Sequence, residues 1–286
     1  MTGERTAQGR TYQNTDGTYT AQYYDEPVNF RDGQGGWRPI DTSLAQPEGA
    51  RTMSVAAPLW ETRSTEVTIG FEGHADADPV VQMDLGEHGS VGFAVAGATR
   101  TAGQVDGSTI TYPDVRASSD IEFLAGNASV KETLLLKGPE APTEWSFPLV
   151  TTGLTAGLDD SGAVVFQDGE GVERARIPQG WMEDSRLAEN ANEGVISTGV
   201  TYSLTEQSGR QVLNVSLDQE WLHDPVRVFP VRVDPSVTGA SATSGTYVET
   251  PYDTDFSTST VLKTGTYDAG SHKAASFCGS PAWRPP

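Results

Sequence analysis

The stretch from Glu66 to Glu72 alternates in chemistry. Val67, Ile69 and Phe71 take one side; Glu66, Thr68 and Glu72 take the other. Successive side chains of a strand point to opposite faces, so the stretch reads as a strand with one dry face and one wet face. Comparable signals return about every ten residues with turn residues between them, which favours a sandwich or barrel. Short strands are expected at Val80 to Leu85, Val91 to Val95 and Thr109 to Tyr112. A hairpin is expected from Ile121 to Leu124 and Val130 to Lys137 across Gly-Asn-Ala-Ser. Val130, Leu134 and Leu136 then face together, and Lys131, Thr133 and Lys137 face away. Leu135 breaks the alternation, which suggests cover on both faces.

Further strands are expected around Trp145 and Phe147, in a hairpin from Val164 to Gln167 and Val172 to Ile177, and through Val200, Tyr202 and Leu204. Leu213, Val215 and Leu217 mark another, and Val226 to Val233 reads as one long final strand. The run from Asp218 to Pro225 suggests a single helical turn. Asp16-Gly17 and Asp32-Gly33 are natural hairpin turns, because glycine accepts a positive φ without steric penalty.

The 31 glycines and 17 prolines among 286 residues suit many short strands joined by turns. The fold class expected is all-β: antiparallel β-sandwich with an incomplete C-terminal β unit. Residues 1–235 form a large N-terminal β-sandwich region, with a subdivision near 138–143. Residues 236–245, small and polar, read as a linker. Residues 246–286 begin a second β unit whose tail turns aberrant from Cys278.

With 39 acidic residues against 19 basic ones the net charge is −20. Such a surface repels phosphate, and the arginines are scattered, so no nucleic-acid partner is expected for this chain. A single cysteine, Cys278, excludes an internal disulfide. The first residues lack the apolar core of a signal peptide, and no apolar run is long enough to span a membrane.

Three stretches carry a family resemblance: residues 111–138, residues 220–237 (Glu-Trp-Leu-His-Asp-Pro-Val-Arg-Val-Phe-Pro-Val-Arg-Val-Asp-Pro-Ser-Val) and residues 246–277. In this order they resemble the N-terminal region of bacterial RHS/YD-repeat and wall-associated proteins, followed by the start of a DNRLRE-type β-sandwich domain. The opening strand and turn, with Trp37-Arg38-Pro39-Ile40-Asp41, is similar to the same pattern. The resemblance implies export to the cell surface or cell wall; a cytoplasmic protein is expected instead if Met1 is the true start. It also implies that the strand ending at Phe277 continues as an apolar strand. Deleting one base after the Phe277 codon of such a continuation yields the observed Cys278 to Pro286. The expectation is therefore a frameshift that truncates a longer protein. Residues 236–286 would then lack partner strands and be poorly packed.

Candidate chemistry is thin. The four histidines are His74, His88, His223 and His272. No zinc spacing, metalloprotease motif or nucleophile-elbow motif is present. His74, Asp76 and Asp78 form a loose metal-like cluster, and Asp253 with Asp255 offers oxygens suited to calcium. A solvated loop and a polar turn are the preferred readings. The pairs Asp159-Asp160 and Glu183-Asp184 invite a glycosidase reading, but neighbouring strand residues face opposite ways. Trp37, Trp60, Trp145, Trp181 and Trp221 suit sugar stacking; burial is the more ordinary use of such large rings. Asn127 and Asn214 head glycosylation sequons, read as coincidence. Asp218, Asp224 and Asp234 read as turn and cap residues.

No catalytic, cofactor-binding or metal residue is assigned, and no cofactor is expected. The function expected is a non-enzymatic structural or presentation module of a secreted or cell-wall-associated RHS-like protein. The alternatives are a carbohydrate-binding protein and a carboxylate-dependent glycoside hydrolase or lyase. The partners expected are cell-wall polysaccharide or the remainder of a longer RHS-type chain.

Overall fold

The computed structural model describes residues 5–24, 27–47, 58–186, 194–234, 237–239, 244–250, 265–267 and 272–279. The fold is all-β and antiparallel, with helix among the described residues confined to the turns Gly86–His88 and Gln219–Leu222. No helix among them is long and apolar enough to cross a membrane. The chain divides into two compact units, Met1–Ala240 and Ser241–Pro286.

In the first unit two large sheets face each other. One runs in the order Val200–Gln207, Arg210–Leu217, Glu144–Thr152, Ser90–Phe93, Val81–Asp84, Thr68–Phe71, Trp60–Ser64 and Asp41–Ala45. The other runs Gln104–Asp106, Thr109–Arg116, Ser119–Ala125, Ser129–Leu136, Val237–Gly239, Glu173–Ile177, Val164–Gln167 and Thr155–Leu158. Val231–Asp234, Trp181–Glu183 and Ile196–Ser197 branch from this second sheet beside Ser129–Leu136. A small sheet (Arg5–Thr6, Gly9–Gln13, Tyr19–Tyr23) and a hairpin (Asn29–Arg31, Trp37–Pro39) precede them.

The core lies between the sheets and is built by period-2 alternation. Val67, Ile69 and Phe71 are buried and Thr68 is exposed, as the sequence pattern requires. Phe123 stands at the centre. It meets Phe71 and Phe93 of the facing sheet at centroid distances of 5.7 and 5.9 Å, and Tyr112 of its own sheet edge-on at 6.1 Å. Aromatic pairs of this kind add about 0.5–1.5 kcal/mol each beyond their buried area.

Two local expectations are corrected. At the Asp32 turn the left-handed residue is Gly35, with φ of 80°, and not Gly33. The Asp32 carboxylate accepts from the amides of Gln34 and Gly36, so its side chain holds a longer loop than a two-residue turn. The long strand expected from Val226 to Val233 shrinks to Val231–Asp234. Arg227 is drawn inward to Asp184, and that leaves Val226 and Val228 exposed outside any ladder.

In the second unit, His272–Gly279 is the middle strand of three, between Ser244–Thr250 and Gly265–Tyr267. The strand runs two residues beyond Phe277, where its apolar signal was expected to stop. Cys278 pairs with Gly245 and Gly279 with Ser244, because a backbone ladder is indifferent to side-chain pattern. Residues 280–286, and most of the segment expected to pack poorly, lie outside the described residues.

Candidate functional site

An open groove of about 810 Å³ sits where edges of the two sheets approach each other. Its position follows from one hairpin. Ser208 and Gly209, with φ of 54° and 76°, make the tight turn between Val200–Gln207 and Arg210–Leu217. Two successive left-handed residues give the twist that such hairpins need. The turn places Arg210 over the adjacent strand, where its Nε donates to the Leu149 carbonyl at 2.7 Å and its Nη2 to that of Pro148 at 3.0 Å. The guanidinium also grips both carboxylate oxygens of Asp78, each at 2.7 Å. This fork holds the Asp78 carboxyl below its usual range despite partial burial. At the floor, Gln211 clasps the facing sheet. Its Oε1 accepts from the Ala156 amide at 3.0 Å and its Nε2 donates to the Ala156 carbonyl at 2.8 Å. Glu206 adds a second carboxylate to the wall. The trough is polar and slightly acidic, and its one guanidinium is committed to internal bonds.

A second constellation is enclosed. Asp184, fully buried, receives Nη1 of Arg227 at 2.8 Å, and its other oxygen accepts from the amides of Val195 and Arg186. Burial works to raise this carboxyl, but the amides, the Val195 amide foremost, and Arg227 outweigh it and leave it below the ordinary value. The Arg227 guanidinium lies 3.5 Å from the centre of the Trp221 ring. A third constellation, around Glu132, lies between the sheets. Burial, and then the nearby Asp234, push the Glu132 carboxyl well above the usual carboxylate range.

The residues singled out in the sequence are mostly drawn apart. Asp76 faces Arg100 at 3.4 Å, His74 approaches the same arginine, and Asp78 is held by Arg210. Among the described residues no three of His, Cys, Asp and Glu converge as metal ligands. Asp253 and Asp255 lie outside the described residues. Asp159 braces its own turn and pairs with Arg176 at 2.8 Å. Trp145 is buried, with Nε1 donating to the Pro142 carbonyl, while Trp60 and Trp221 are partly buried against the core. Trp37 lies under Arg31, and Trp181 pairs with Asp234. His88 sits 3.9 Å from Glu87, and His223 Nδ1 lies 2.8 Å from the Gln219 carbonyl. His272 belongs to the strand His272–Gly279. Asn127 Oδ1 accepts from the Glu66 amide, and the Asn214 side chain bonds within its own sheet. Asp218 caps the Gln219–Leu222 turn, Asp224 accepts from the Val226 amide, and Asp234 takes Lys131 at 2.7 Å.

Glu132 and Arg210 were missed by sequence reasoning. For Glu132 a signal was present: period 2 sets it in phase with Val130, Leu134 and Leu136. For Arg210 there was none beyond the Ser-Gly turn before it.

The geometry defines an all-antiparallel β-sandwich whose charged side chains mostly brace one another. Comparison with known proteins adds what the geometry does not. The chain is 28% identical over 292 residues to "tRNA nuclease WapA" of Bacillus subtilis (strain 168), spanning 94% of this chain. It is 29% identical over 284 residues both to "tRNA3(Ser)-specific nuclease WapA" of Bacillus spizizenii and to "tRNA(Glu)-specific nuclease WapA" of Bacillus subtilis subsp. natto. The chain spans 12% of the length of each of these relatives. No family model matches, and no solved structure matches.

These matches correct the sequence reading. The relatives are named as tRNA nucleases, and not as RHS/YD-repeat or DNRLRE proteins. They are enzymes by name, which overturns the expectation of a non-enzymatic module and lends no support to the carbohydrate-binding or glycosidase alternatives. The reason for the error is physical. Reacting groups need be present only once in a polypeptide, and these residues align with 12% of the relatives' length.

Proposed function

We propose that this chain is a segment of a nuclease acting on tRNA. The observation that carries the reading is a match over 94% of the chain, far more than one strand-and-turn repeat of the kind any sandwich contains. Two of the relatives are named for different tRNAs, yet each is 29% identical to this chain. We therefore assign the segment to what such nucleases share, and the choice among tRNAs to other parts of the polypeptide. Electrostatics supports that division. The chain carries a net charge of −20, and its groove sets two carboxylates against one committed guanidinium, a poor seat for a phosphate backbone. Export to the cell surface is part of the same proposal.

The test expresses the longest open reading frame containing this chain, beside the 286-residue chain itself, and follows a tRNA pool on denaturing gels. Cleavage by the long product supports the reading. Intact tRNA in the presence of a folded long product overturns it. Cleavage by the 286-residue chain alone overturns the division of roles and puts the reacting groups in this segment.

A further inference from the structure

The strand Ser129–Leu136 presents Val130, Glu132, Leu134 and Leu136 to the core, all of them buried. Three of the four are apolar; Glu132, only 4% exposed, is the exception, and its Oε1 has no hydrogen-bond partner. A buried carboxylate without donors is among the costliest groups a core can hold. From the facing sheet comes Tyr202, whose buried hydroxyl rests against Gly180 without a well-formed hydrogen bond. From the neighbouring strand Val231–Asp234 comes the Asp234 carboxylate. The near cation, Lys131, is on the same strand as Glu132 but faces away from the core, and it is held at 2.7 Å by Asp234.

We propose that Glu132 is a proton-operated latch: neutral, it lets the strand Val231–Asp234 close against Ser129–Leu136, and ionised, it releases that strand. Ionisation would set a second negative charge near Asp234 in the core, with no donor at Oε1. Asp234 opposes that charge, Tyr202 is kept neutral by the same burial and carboxylates, and Lys131 is already engaged. Parting the seam between Ser129–Leu136 and the strand that carries Asp234 lets water in to Glu132 and moves the second carboxylate away. On that side Val231–Asp234 makes three register pairs, Leu134 with Val233, Leu135 with Arg232 and Leu136 with Val231; on its other side it pairs with Trp181–Glu183 and would move with it. This is also the strand that leads to Val237–Gly239 and then out of the first unit. Burial first, and Asp234 second, raise the Glu132 carboxyl above its ordinary 4.5. The closed state therefore has its full stability below pH 4.5 and loses it as the pH climbs toward the raised value.

The experiment is amide exchange of Val231, Arg232 and Val233 in the full chain, across a pH series, for the wild type, Glu132→Gln and Glu132→Met. Comparing variants at each pH cancels the intrinsic exchange rate. In the wild type the opening constant should rise about tenfold per pH unit above the unfolded carboxyl value, relative to both variants, until Glu132 itself ionises. The same pH dependence in all three chains would overturn the proposal. So would a Glu132 carboxyl carbon that titrates near 4.5 in the folded wild type, a measurement that needs neither variant to fold.

Discussion

Asp184 and Arg227 lie 43 residues apart and form an ion pair of 2.8 Å with side chains 0% and 4% exposed. The carboxylate also takes the amides of Val195 and Arg186, and the guanidinium donates through Nε to the Trp221 carbonyl while resting on the Trp221 ring. One enclosed pair thus ties the strands Trp181–Glu183 and Ile196–Ser197 to the 218–230 connection. Removing one partner strands the other charge in the interior. Asp184→Ala should cost about 3–5 kcal/mol in urea unfolding. Adding Arg227→Met should recover a large part of that loss. A single-variant cost under about 1 kcal/mol would mean that water reaches Arg227.

The pH profile of stability should have two flanks with different owners. The Asp184 carboxyl is lowered by its amide and guanidinium bonds against the effect of burial, and that of Asp78 by the Arg210 fork. Both contribute stability that is present above 3.8 and lost as pH falls through their folded values. Glu132 acts with the opposite sign, losing stability as pH rises above 4.5. In thermal unfolding against pH, Glu132→Gln should flatten the alkaline flank and leave the acid flank unchanged. Asp78→Asn should do the reverse, with a small effect because Asp78 is half exposed. If Glu132→Gln altered only the acid flank, the sign assigned to Glu132 would be wrong.

Two glycines with positive φ should respond very differently to alanine. Gly89 has φ of 97°, and a Cβ there would lie 1.9 Å from the Thr152 carbonyl oxygen. Gly17 has φ of 86° with open space around it. Gly17→Ala should cost about 1 kcal/mol, the backbone strain alone. Gly89→Ala must also push apart the strands Ser90–Phe93 and Glu144–Thr152, and should cost more than about 2 kcal/mol. Equal costs in chemical denaturation would exclude the clash.

Gln211 stands where a strand would otherwise be needed. Thr155–Leu158 is an end strand of its sheet, and the Gln211 amide fills both bonding positions of Ala156. Gln211→Ala should expose that edge, remove about 1–2 kcal/mol of stability and accelerate exchange at the Ala156 amide. Unchanged Ala156 exchange would show that the bridge carries no load.

Much of the strand inventory was legible because period-2 alternation is a local property. The Ser119–Ala125 and Ser129–Leu136 hairpin, the Asp218-capped turn and the alternation through Val200, Tyr202 and Leu204 all follow from residues within reach of one another. The failures are equally instructive. The apolar run from Val226 to Val233 looks like one strand, but a buried carboxylate 43 residues upstream takes Arg227 out of the run and breaks it. The activity in the relatives' names is not legible in this chain, which aligns with only 12% of their length.

By itself, then, the sequence determined the all-β class, the Asp16-Gly17 turn and the dry face of the clearly alternating strands. Those depend on backbone sterics and on side chains one or two positions apart. Tertiary structure alone decided that Arg210 meets Asp78 across 132 residues, that Asp184 and Arg227 share one enclosure, and that Glu132 faces Tyr202 between the sheets. Charge pairing and desolvation depend on distance in space, and a linear pattern carries no such distances until the strands have found their order.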